Sequence, residues 1–319
     1  MAAFVCTGAS GERIKMIKRV LYYSVLVFFV SCSNAPKKED TRDTPEKGVI
    51  NISVDESFKP VIEEQIFVHH SSFPGTKINA FYKSEAACFR DLRSDSTRMI
   101  IVAKGLTDQE SEIFKENLFF KPQYGILAYD AVAVIVNRES KDSVFTIAAL
   151  KDILSGKNKV TAVMDGKNAT STVRFLQDSV LKGAAFGANV VASDNSKQVV
   201  DIISKTPGAI GFVGLSWIGN AYDKEQQAYQ QKIRLALVEC VNCIEKDVFA
   251  RPSQASITFG QYPLARPLYY ILKENSAGLG TGFMNFMSLE RGQLIFRRAF
   301  LAPAKMAFNS RSGKIKDAD

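Results

Sequence analysis

The sequence predicts an α/β fold with a parallel sheet. Short apolar strand patterns alternate with amphipathic helical patterns through most of the chain, which is typical of βαβ units. Two extended apolar segments, residues 126–136 and 262–272, are longer than most strands, and the first is suited to cross between lobes. The length of 319 residues is ample for one large or two medium domains.

The first part of the body begins at residue 49, where residues 49–54 alternate between apolar and polar and predict a strand. Ser84 is a suitable N-cap for a helix, and Thr107 and Glu110 form a capping-box pattern. The other elements expected here are a helix at 60–67, a strand at 77–82, a helix at 84–92, a strand at 99–103 and a helix from 107 onward.

The second part of the body repeats the alternation after the long segment at 126–136. An amphipathic helix at 146–154 ends at Ser155 and Gly156. The elements expected after it are a strand at 160–164, a helix at 172–181, a strand at 189–192, a helix at 196–204, a strand at 207–213 and a closing helix at 283–300.

The N-terminal segment has the pattern of a secretory signal. Basic residues at 18 and 19 precede an apolar run at 20–30, and a small residue, Ser31, precedes Cys32. The run is about half of the ~20 residues that span a bilayer. We expect residues 1–31 to be a signal peptide, with Met16 as a candidate true start, and the polar residues 32–48 to be a flexible tether.

Composition excludes several classes of function. The formal charge is +8, of which residues 1–31 carry +3, and the remaining basic residues are dispersed rather than clustered with aromatics. Nucleic-acid binding is therefore not expected. Two histidines, His69 and His70, lie in a polar context that predicts a surface position, and we expect no metal, no cofactor and no catalytic residues.

Five cysteines are present. Cys88 lies in an apolar helical pattern and is expected in the core. Cys240 and Cys243 form a CxxC pair, a spacing used in redox sites, zinc sites and small disulfides. No further zinc ligands stand nearby and the flanking residues do not suit a redox helix, so a structural disulfide in an oxidising compartment is favoured.

Three turns that open helices carry hydroxyl side chains. They lie at Ser57, at Ser84 and at residues 170–172, which read Thr-Ser-Thr. Helix N-termini offer backbone N–H groups and a favourable dipole to an oxyanion, and hydroxyls add donors. Each hydroxyl could equally be a helix cap, and one residue can serve both purposes.

The order of these segments resembles the phosphate-binding protein family of ABC transporters, in the PBP-like superfamily. The residues that carry the resemblance span residues 49–303 of the chain and are VDESF at 54–58, VAKGLT at 102–107, YDAVAVIVN at 129–137, LKDILSG at 150–156, PGAIGF at 207–212, YPLARPLY at 262–269 and GQLI at 292–295. Residues 29–32 likewise resemble a lipobox, whose cysteine, here Cys32, carries acyl chains.

The resemblance implies two α/β lobes joined by two hinge strands, with the ligand in the cleft between them. The first lobe would hold residues 49–128 and 268–310, and the second lobe residues 129–267. Residues carried over from the family as phosphate contacts are Ser57, Phe58 through its backbone N–H, Ser84, Thr170, Ser171 and Thr172.

Departures from the family pattern lie at the charged positions. The third turn lacks its glycines and the arginine that usually precedes it. Lys104 stands where the family has an aspartate that accepts a phosphate proton, and it either supplies a cation or is a surface lysine. Arg174 is a second candidate cation or a solvent-facing residue. Asp130 and Arg266, in the two crossing segments, either pair or line the cleft, and a structural pair is favoured.

The expected function is that of a monomeric, lipid-anchored solute-binding protein of the cell envelope, facing the periplasm or exterior. It would capture phosphate or a related oxyanion and deliver it to the permease of an ABC importer. An envelope sensor or interaction lipoprotein without tight ligand binding is the alternative, followed by an envelope phosphatase.

Overall fold

The computed structural model describes residues 43–94, 96–166 and 170–306 as a mixed α/β protein. Over these residues, ten strands form one continuous sheet. The central path runs β2 (Thr76–Lys83), β1 (Gly48–Asp55), β3 (Met99–Val102), β12 (Ala265–Leu272), β4 (Gln123–Asn137), β8 (Ile210–Gly214), β6 (Ala162–Asp165) and β7 (Val190–Ser193).

Shorter strands complete the described architecture. β9 (Ile233–Leu235) and β13 (Ala302–Pro303) both pair antiparallel with β4. A separate three-stranded sheet contains β5 (Val144–Phe145), β10 (Leu237–Glu239) and β11 (Phe249–Ala250). This small sheet lies next to the CxxC pair, because Cys240 directly follows β10.

The chain passes between two lobes within β4. Residues 123–131 of β4 pair with β12, whereas residues 132–136 pair with β8. The two-lobed α/β expectation is confirmed, but the sheet is parallel only inside each lobe. β4 leaves one lobe and β12 returns to it, so these two strands run antiparallel in the middle. The boundaries expected for the lobes remain predictions.

Ten α-helices cover the described part of the sheet. They are α1 (Lys59–Ser72), α2 (Glu85–Leu92), α3 (Asp108–Leu118), α4 (Ile147–Leu154), α5 (Ser171–Ser179), α6 (Ser196–Lys205), α7 (Lys224–Gln230), α8 (Gln254–Thr258), α9 (Leu279–Ser288) and α10 (Glu290–Arg298). Short 3₁₀ turns occur at Glu56–Phe58 and Leu215–Trp217. The single closing helix expected at 283–300 is therefore two helices, with Leu289 extended between them.

Each lobe has its own apolar core. In the first lobe, Phe58, Phe283 and Phe296 are buried with the strands β1 and β3. In the second lobe, α6 packs its buried face against β4, β6 and β8 through residues such as Val199 and Ile203. Cys88 is buried in a third, smaller cluster, as expected.

The end of the expected tether belongs to the folded body. Asp43 forms an ion pair with Arg98, with 2.6 Å between the nearest nitrogen and oxygen atoms, and also accepts from the backbone N–H of Leu279 at 2.9 Å. A carboxylate is favourable at this position because it meets the N-terminus of α9. Residues 1–42, which include the expected signal peptide, most of the tether and the Cys32 lipidation site, lie outside the described residues.

The expectation of a surface position is wrong for His69. Ile62, Gln65 and His69 are spaced three and four residues apart on α1, which places all three on its inward face. The His69 ring lies 5.0–5.2 Å from those of Phe73, Phe283 and Phe286, and its Nε2 atom has no hydrogen-bond partner among the described residues. Burial lowers the pKa of His69 from 6.5 to about 4. His70, next to it, is exposed.

This histidine predicts a loss of stability in mild acid. The unfolded chain takes up a proton at His69 below about pH 6.5, whereas the folded chain does so only near pH 4. The free energy of unfolding should therefore fall as the pH drops through this window, by up to about 1.4 kcal/mol per pH unit. In urea unfolding of His69→Leu, the free energy of unfolding should lose this part of its dependence on pH. The control His70→Leu, at an exposed site, should retain it. Equal slopes in all three chains would contradict the prediction.

Candidate functional site

The candidate site lies where strand ends from both lobes meet. β1 ends at Asp55 in the first lobe, and β6 ends at Asp165 in the second. Helices α5 and α6 begin close by, at Ser171 and Ser196. In open α/β sheets, ligands bind outside the carboxyl ends of the strands at such a reversal of strand order. The geometry therefore places several helix N-termini and loop side chains around one point.

Hydroxyl groups from both lobes meet at this point. Ser57 Oγ lies 3.1 Å from Thr172 Oγ1 and 3.4 Å from Ser171 Oγ. Thr170 caps α5 by accepting from the backbone N–H of Val173 at 3.3 Å. Ser57, Thr170, Ser171 and Thr172 are all buried. The structure thus brings together four of the residues that the sequence analysis selected as anion ligands.

Arg266 supplies a positive charge to the same cluster. Its guanidinium forms an ion pair with Asp130 at 3.0 Å, and both side chains are fully buried. Its remaining terminal nitrogen lies 3.0 Å from Ser171 Oγ and 3.4 Å from Thr172 Oγ1. The ring of Phe58 stacks below the guanidinium at 4.9 Å. The structural pair favoured for Asp130 and Arg266 is therefore present, and Arg266 also contacts the hydroxyls of α5.

Three carboxyl groups, missed by the sequence analysis, complete the cluster. Asp55 accepts from the backbone N–H and the hydroxyl of Ser171, at 3.1 and 2.9 Å. Asp165 accepts from the hydroxyl of Ser196 at 2.6 Å and from Ser57 Oγ at 3.3 Å. Glu56 accepts from the hydroxyl of Ser196 at 3.0 Å. Their positions at the ends of predicted strands were a signal that could have identified them.

Burial dominates the protonation of these carboxyls. Removal from water raises the pKa of Asp55, although the positive charge of Arg266 partly opposes this. Burial also raises the pKa of Asp130 against the same guanidinium. Burial, reinforced by the negative charge of Asp165, raises the pKa of Glu56 to about 8. Glu56 is therefore mainly a neutral carboxyl at pH 7.

The remaining predicted contacts lie outside the hydrogen-bonded cluster. Ser84 caps α2 by accepting from the backbone N–H of Ala87 at 3.3 Å. Lys104 forms an ion pair with Glu110 at 3.2 Å and lies above a phenylalanine ring. Within the described part of the chain, no hydrogen bond joins either residue to the hydroxyls of α5.

Arg174 joins the two lobes rather than facing solvent. Its guanidinium forms two hydrogen bonds with the Glu85 carboxylate, one of them at 3.2 Å. Glu85 lies in α2 of the first lobe and also accepts from the backbone N–H of Ala103 at 3.0 Å. This ion pair lies beside the hydroxyl cluster and adds a second link across the lobe junction.

The CxxC pair lies away from the site. Cys240 and Cys243 are joined by a disulfide, with their Cα atoms 5.6 Å apart. The closed loop between them carries the exposed Val241, and Ile244 beyond it is fully exposed. This is the pairing that the sequence analysis favoured for the two cysteines.

The described residues contain neither a membrane-spanning helix nor a metal-binding cluster. In that part of the chain, every helix is either too short or too polar to span a bilayer. The same residues hold no group of three or more His, Cys, Asp or Glu side chains arranged to bind a metal ion. The partners of the site carboxyls are hydroxyls, backbone N–H groups and Arg266.

Comparison with known families identifies the superfamily of this domain. The model of the PBP superfamily domain matches residues 39–290. The chain belongs to the PBP superfamily. The match contains both strand ends of the site and both crossing strands, so this superfamily domain covers the whole candidate site.

Relatives in the superfamily agree with the resemblance noted in the sequence. The phosphate-binding protein PstS of Staphylococcus epidermidis is 24% identical over 275 residues, which are 81% of this chain and 80% of the relative. PstS of Borreliella burgdorferi is 21% identical over 297 residues, covering 87% of this chain and 97% of the relative. The expected family resemblance is confirmed.

Solved structures show the same fold. A phosphate-bound substrate-binding protein structure from Clostridium perfringens has a TM-score of 0.65 at 19% identity, covering 81% of this chain and all of that one. An ABC-type phosphate transport receptor from Vibrio cholerae has a TM-score of 0.59 at 17% identity, covering 79% and 99%. At these identities the likeness establishes the fold.

Proposed function

We propose that this chain is a solute-binding protein that captures phosphate or a related oxyanion between its lobes for an ABC importer. The observation that carries the proposal is the N-terminus of α5. There, a backbone N–H group, hydroxyls from both lobes and the Arg266 guanidinium converge on one buried point. Such donors suit an oxyanion, and the names of the relatives agree.

In this proposal, Ser57, Thr170, Ser171 and Thr172 donate to the oxyanion together with the backbone N–H of Phe58. Arg266 supplies the positive charge that the family's missing arginine would give. Ser84 and Lys104 lie outside the cluster, so their contribution would require that they approach the ligand from the first lobe.

Carboxyl groups at the site favour an oxyanion that still carries a proton. Asp165 already accepts from Ser196 and Ser57, and it could accept equally from a protonated phosphate oxygen. A fully ionised oxyanion such as sulfate offers no donor and would meet only repulsion there. The carboxyls thus supply a proton acceptor of the kind that the family's aspartate provides and Lys104 cannot.

The lipid anchor is part of the same proposal. Acylation of Cys32 after removal of the signal peptide would hold the protein, as a monomer, at a membrane of the cell envelope. Residues after Cys32 would connect that anchor to the body, which begins its described contacts at Asp43. A binder held near the membrane surface can deliver its ligand to a permease.

The alternative is an envelope sensor or interaction protein that keeps the fold without tight ligand binding. One specific observation favours it: the carboxylate of Asp55 already occupies the donors at the start of α5. An oxyanion has to compete with that carboxylate. Solution binding decides between the two functions.

Titration calorimetry of the purified chain tests the proposal. Phosphate should bind with a Kd of about 1 μM or below, and sulfate more weakly. Ser57→Ala and Thr172→Ala should each weaken binding by roughly 10- to 100-fold, because hydrogen bonds to a charged group contribute about 1.5–3 kcal/mol. Ser71→Ala is the control, because its exposed hydroxyl bonds only within α1.

Failure of phosphate, sulfate and an organic phosphate to bind any of these chains would favour the sensor alternative. Hydrolysis of the organic phosphate in the same cell would favour a phosphatase.

A further inference from the structure

The two lobes are connected directly by side chains that resemble a bound ligand. Asp55, at the end of β1, reaches across the junction and presents both carboxylate oxygens to the first residue of α5. The same carboxylate also accepts from the backbone N–H of Ser57, at 2.9 Å. An acid oxygen therefore lies where the donors of α5 converge, in the position that an oxyanion would need.

A second carboxyl repeats this arrangement one helix away. Glu56 accepts from both the backbone N–H and the hydroxyl of Ser196, at 3.4 and 3.0 Å. Ser196 is the first residue of α6, a helix of ten residues. Consecutive residues of the first lobe thus occupy the N-termini of two different helices of the second lobe.

The negative charge of these carboxyls opposes the entry of an oxyanion. Asp55, Glu56 and Asp165 are all buried or nearly so around one volume, and the nearest cation, Arg266, is already paired with Asp130. A dianion added to this arrangement would meet the Asp55 and Asp165 carboxylates, which Arg266 offsets only in part, in a region of low dielectric. Entry of an oxyanion therefore requires that a carboxylate leaves.

Building on the oxyanion function proposed above, we propose that Asp55 and Glu56 are internal competitors of the ligand. In the ligand-free chain they hold the lobes together at the N-termini of α5 and α6, and an oxyanion binds by replacing the Asp55 carboxylate. The oxyanion and the Asp55 carboxylate then compete for the same donors. The affinity of the site is set by the difference between their free energies of interaction with those donors.

Protonation should modulate the contact made by Glu56. The charged and titratable groups around it are Asp165 of β6 and Asp55 of β1, and Ser196 of α6 is its donor. With a pKa of about 8 in the closed form and an ordinary value near 4.5 when exposed to water, Glu56 favours closure when it is neutral. Closure should weaken as the pH rises from about 4.5 to about 8 and remain constant above that.

The single tryptophan of the chain provides a measurement of closure. Trp217 lies in the second lobe, in the 3₁₀ turn that packs against α1 of the first. It lines a cavity of about 450 Å³ together with Lys59 and Phe67 of that helix. Separation of the lobes should expose the indole to water and shift its emission to longer wavelength.

The test compares wild type with Asp55→Asn, Asp55→Ala and Glu56→Gln, using Trp217 emission, small-angle scattering and phosphate calorimetry. The Asp55 variants should be more open without ligand and should bind phosphate at least tenfold more tightly. Glu56→Gln should reduce the dependence of closure on pH between 4.5 and 8. Asp152→Asn, a change at an exposed carboxylate on α4, is the charge-matched control and should change nothing.

Each outcome distinguishes this inference from the proposed function. If the Asp55 variants open but no chain binds phosphate, internal occupation holds and the oxyanion function fails. If wild type binds phosphate and the folded Asp55 variants bind it equally or less tightly, internal competition is overturned. Thermal melting identifies any variant that does not fold. In that case Glu56→Gln carries the test, and an unchanged pH profile of closure overturns the inference.

Discussion

Replacing Arg266 with methionine should destabilise the chain by about 3–5 kcal/mol, because it leaves a buried carboxylate without its cation. Arg266 and Asp130 face each other in the register between β12 and β4, and neither is exposed to water. Without the guanidinium, Asp130 retains the backbone N–H of Leu215 as a donor, at 3.2 Å. Urea unfolding measures the change in the free energy of unfolding.

The double variant Asp130→Asn with Arg266→Met separates the ion pair from the lost packing. It removes both charges, so it should recover most of the stability lost in the single variant, since replacing a whole buried pair is often close to neutral. Arg298→Met is the surface control, because within the described residues that exposed guanidinium lies over the ring of Tyr222, at 5.0 Å. A loss below about 1 kcal/mol in Arg266→Met would show that Asp130 is already neutral in the folded chain.

The same single variant should also abolish oxyanion binding. Arg266 is the cation that contacts the hydroxyls of Ser171 and Thr172, and a methionine cannot donate. Because the double variant restores stability without restoring the cation, it should fold well and still fail to bind phosphate. Phosphate binding by a stable double variant would show that another cation supplies the charge.

Gly214→Ala should force the lobes apart and weaken phosphate binding by roughly 10- to 100-fold. Gly214 ends β8 with a φ of −61°, a value that any residue adopts. A Cβ atom there would lie only 2.8 Å from the backbone oxygen of Ser57 in the opposite lobe. Relief of such crowding costs about 1–3 kcal/mol, which corresponds to this change in affinity.

Gly75→Ala is the matched control, because its added Cβ meets its nearest neighbour at an ordinary 3.5 Å. Trp217 emission in Gly214→Ala should indicate an open form, as in Asp55→Asn. The two variants should nevertheless change affinity in opposite directions, because the alanine also blocks the closed, liganded form whereas the asparagine only removes a competitor. Unchanged phosphate affinity in Gly214→Ala would mean that closure does not bring Ser57 against β8.

Local patterns in the sequence were sufficient to predict the helices and strands that position the site. The capping of α5 by Thr170, the capping box at Thr107 and the crossing of β4 each depend on neighbouring residues, so their signals are visible in short windows. The hydroxyls of Ser57 and Thr172 could be brought together only with the help of the family resemblance, because 115 residues separate them.

The carboxyls could not be recognised in the same way. Asp55 and Ser171 are 116 residues apart, and their contact depends on how far one lobe closes onto the other. No periodicity or capping rule encodes that distance. His69 was missed for a related reason: its environment is formed by α9, more than two hundred residues further along the chain.

Asp43 fixes the point at which the preceding chain joins the folded body. It is fixed by Arg98 and by the start of α9, near the first residue of β1, whereas the oxyanion donors lie beyond the last residue of that strand. Eight residues of β1 separate the two points by about 25 Å. A pull applied through the preceding chain would therefore act on the first lobe, at the end away from the cleft.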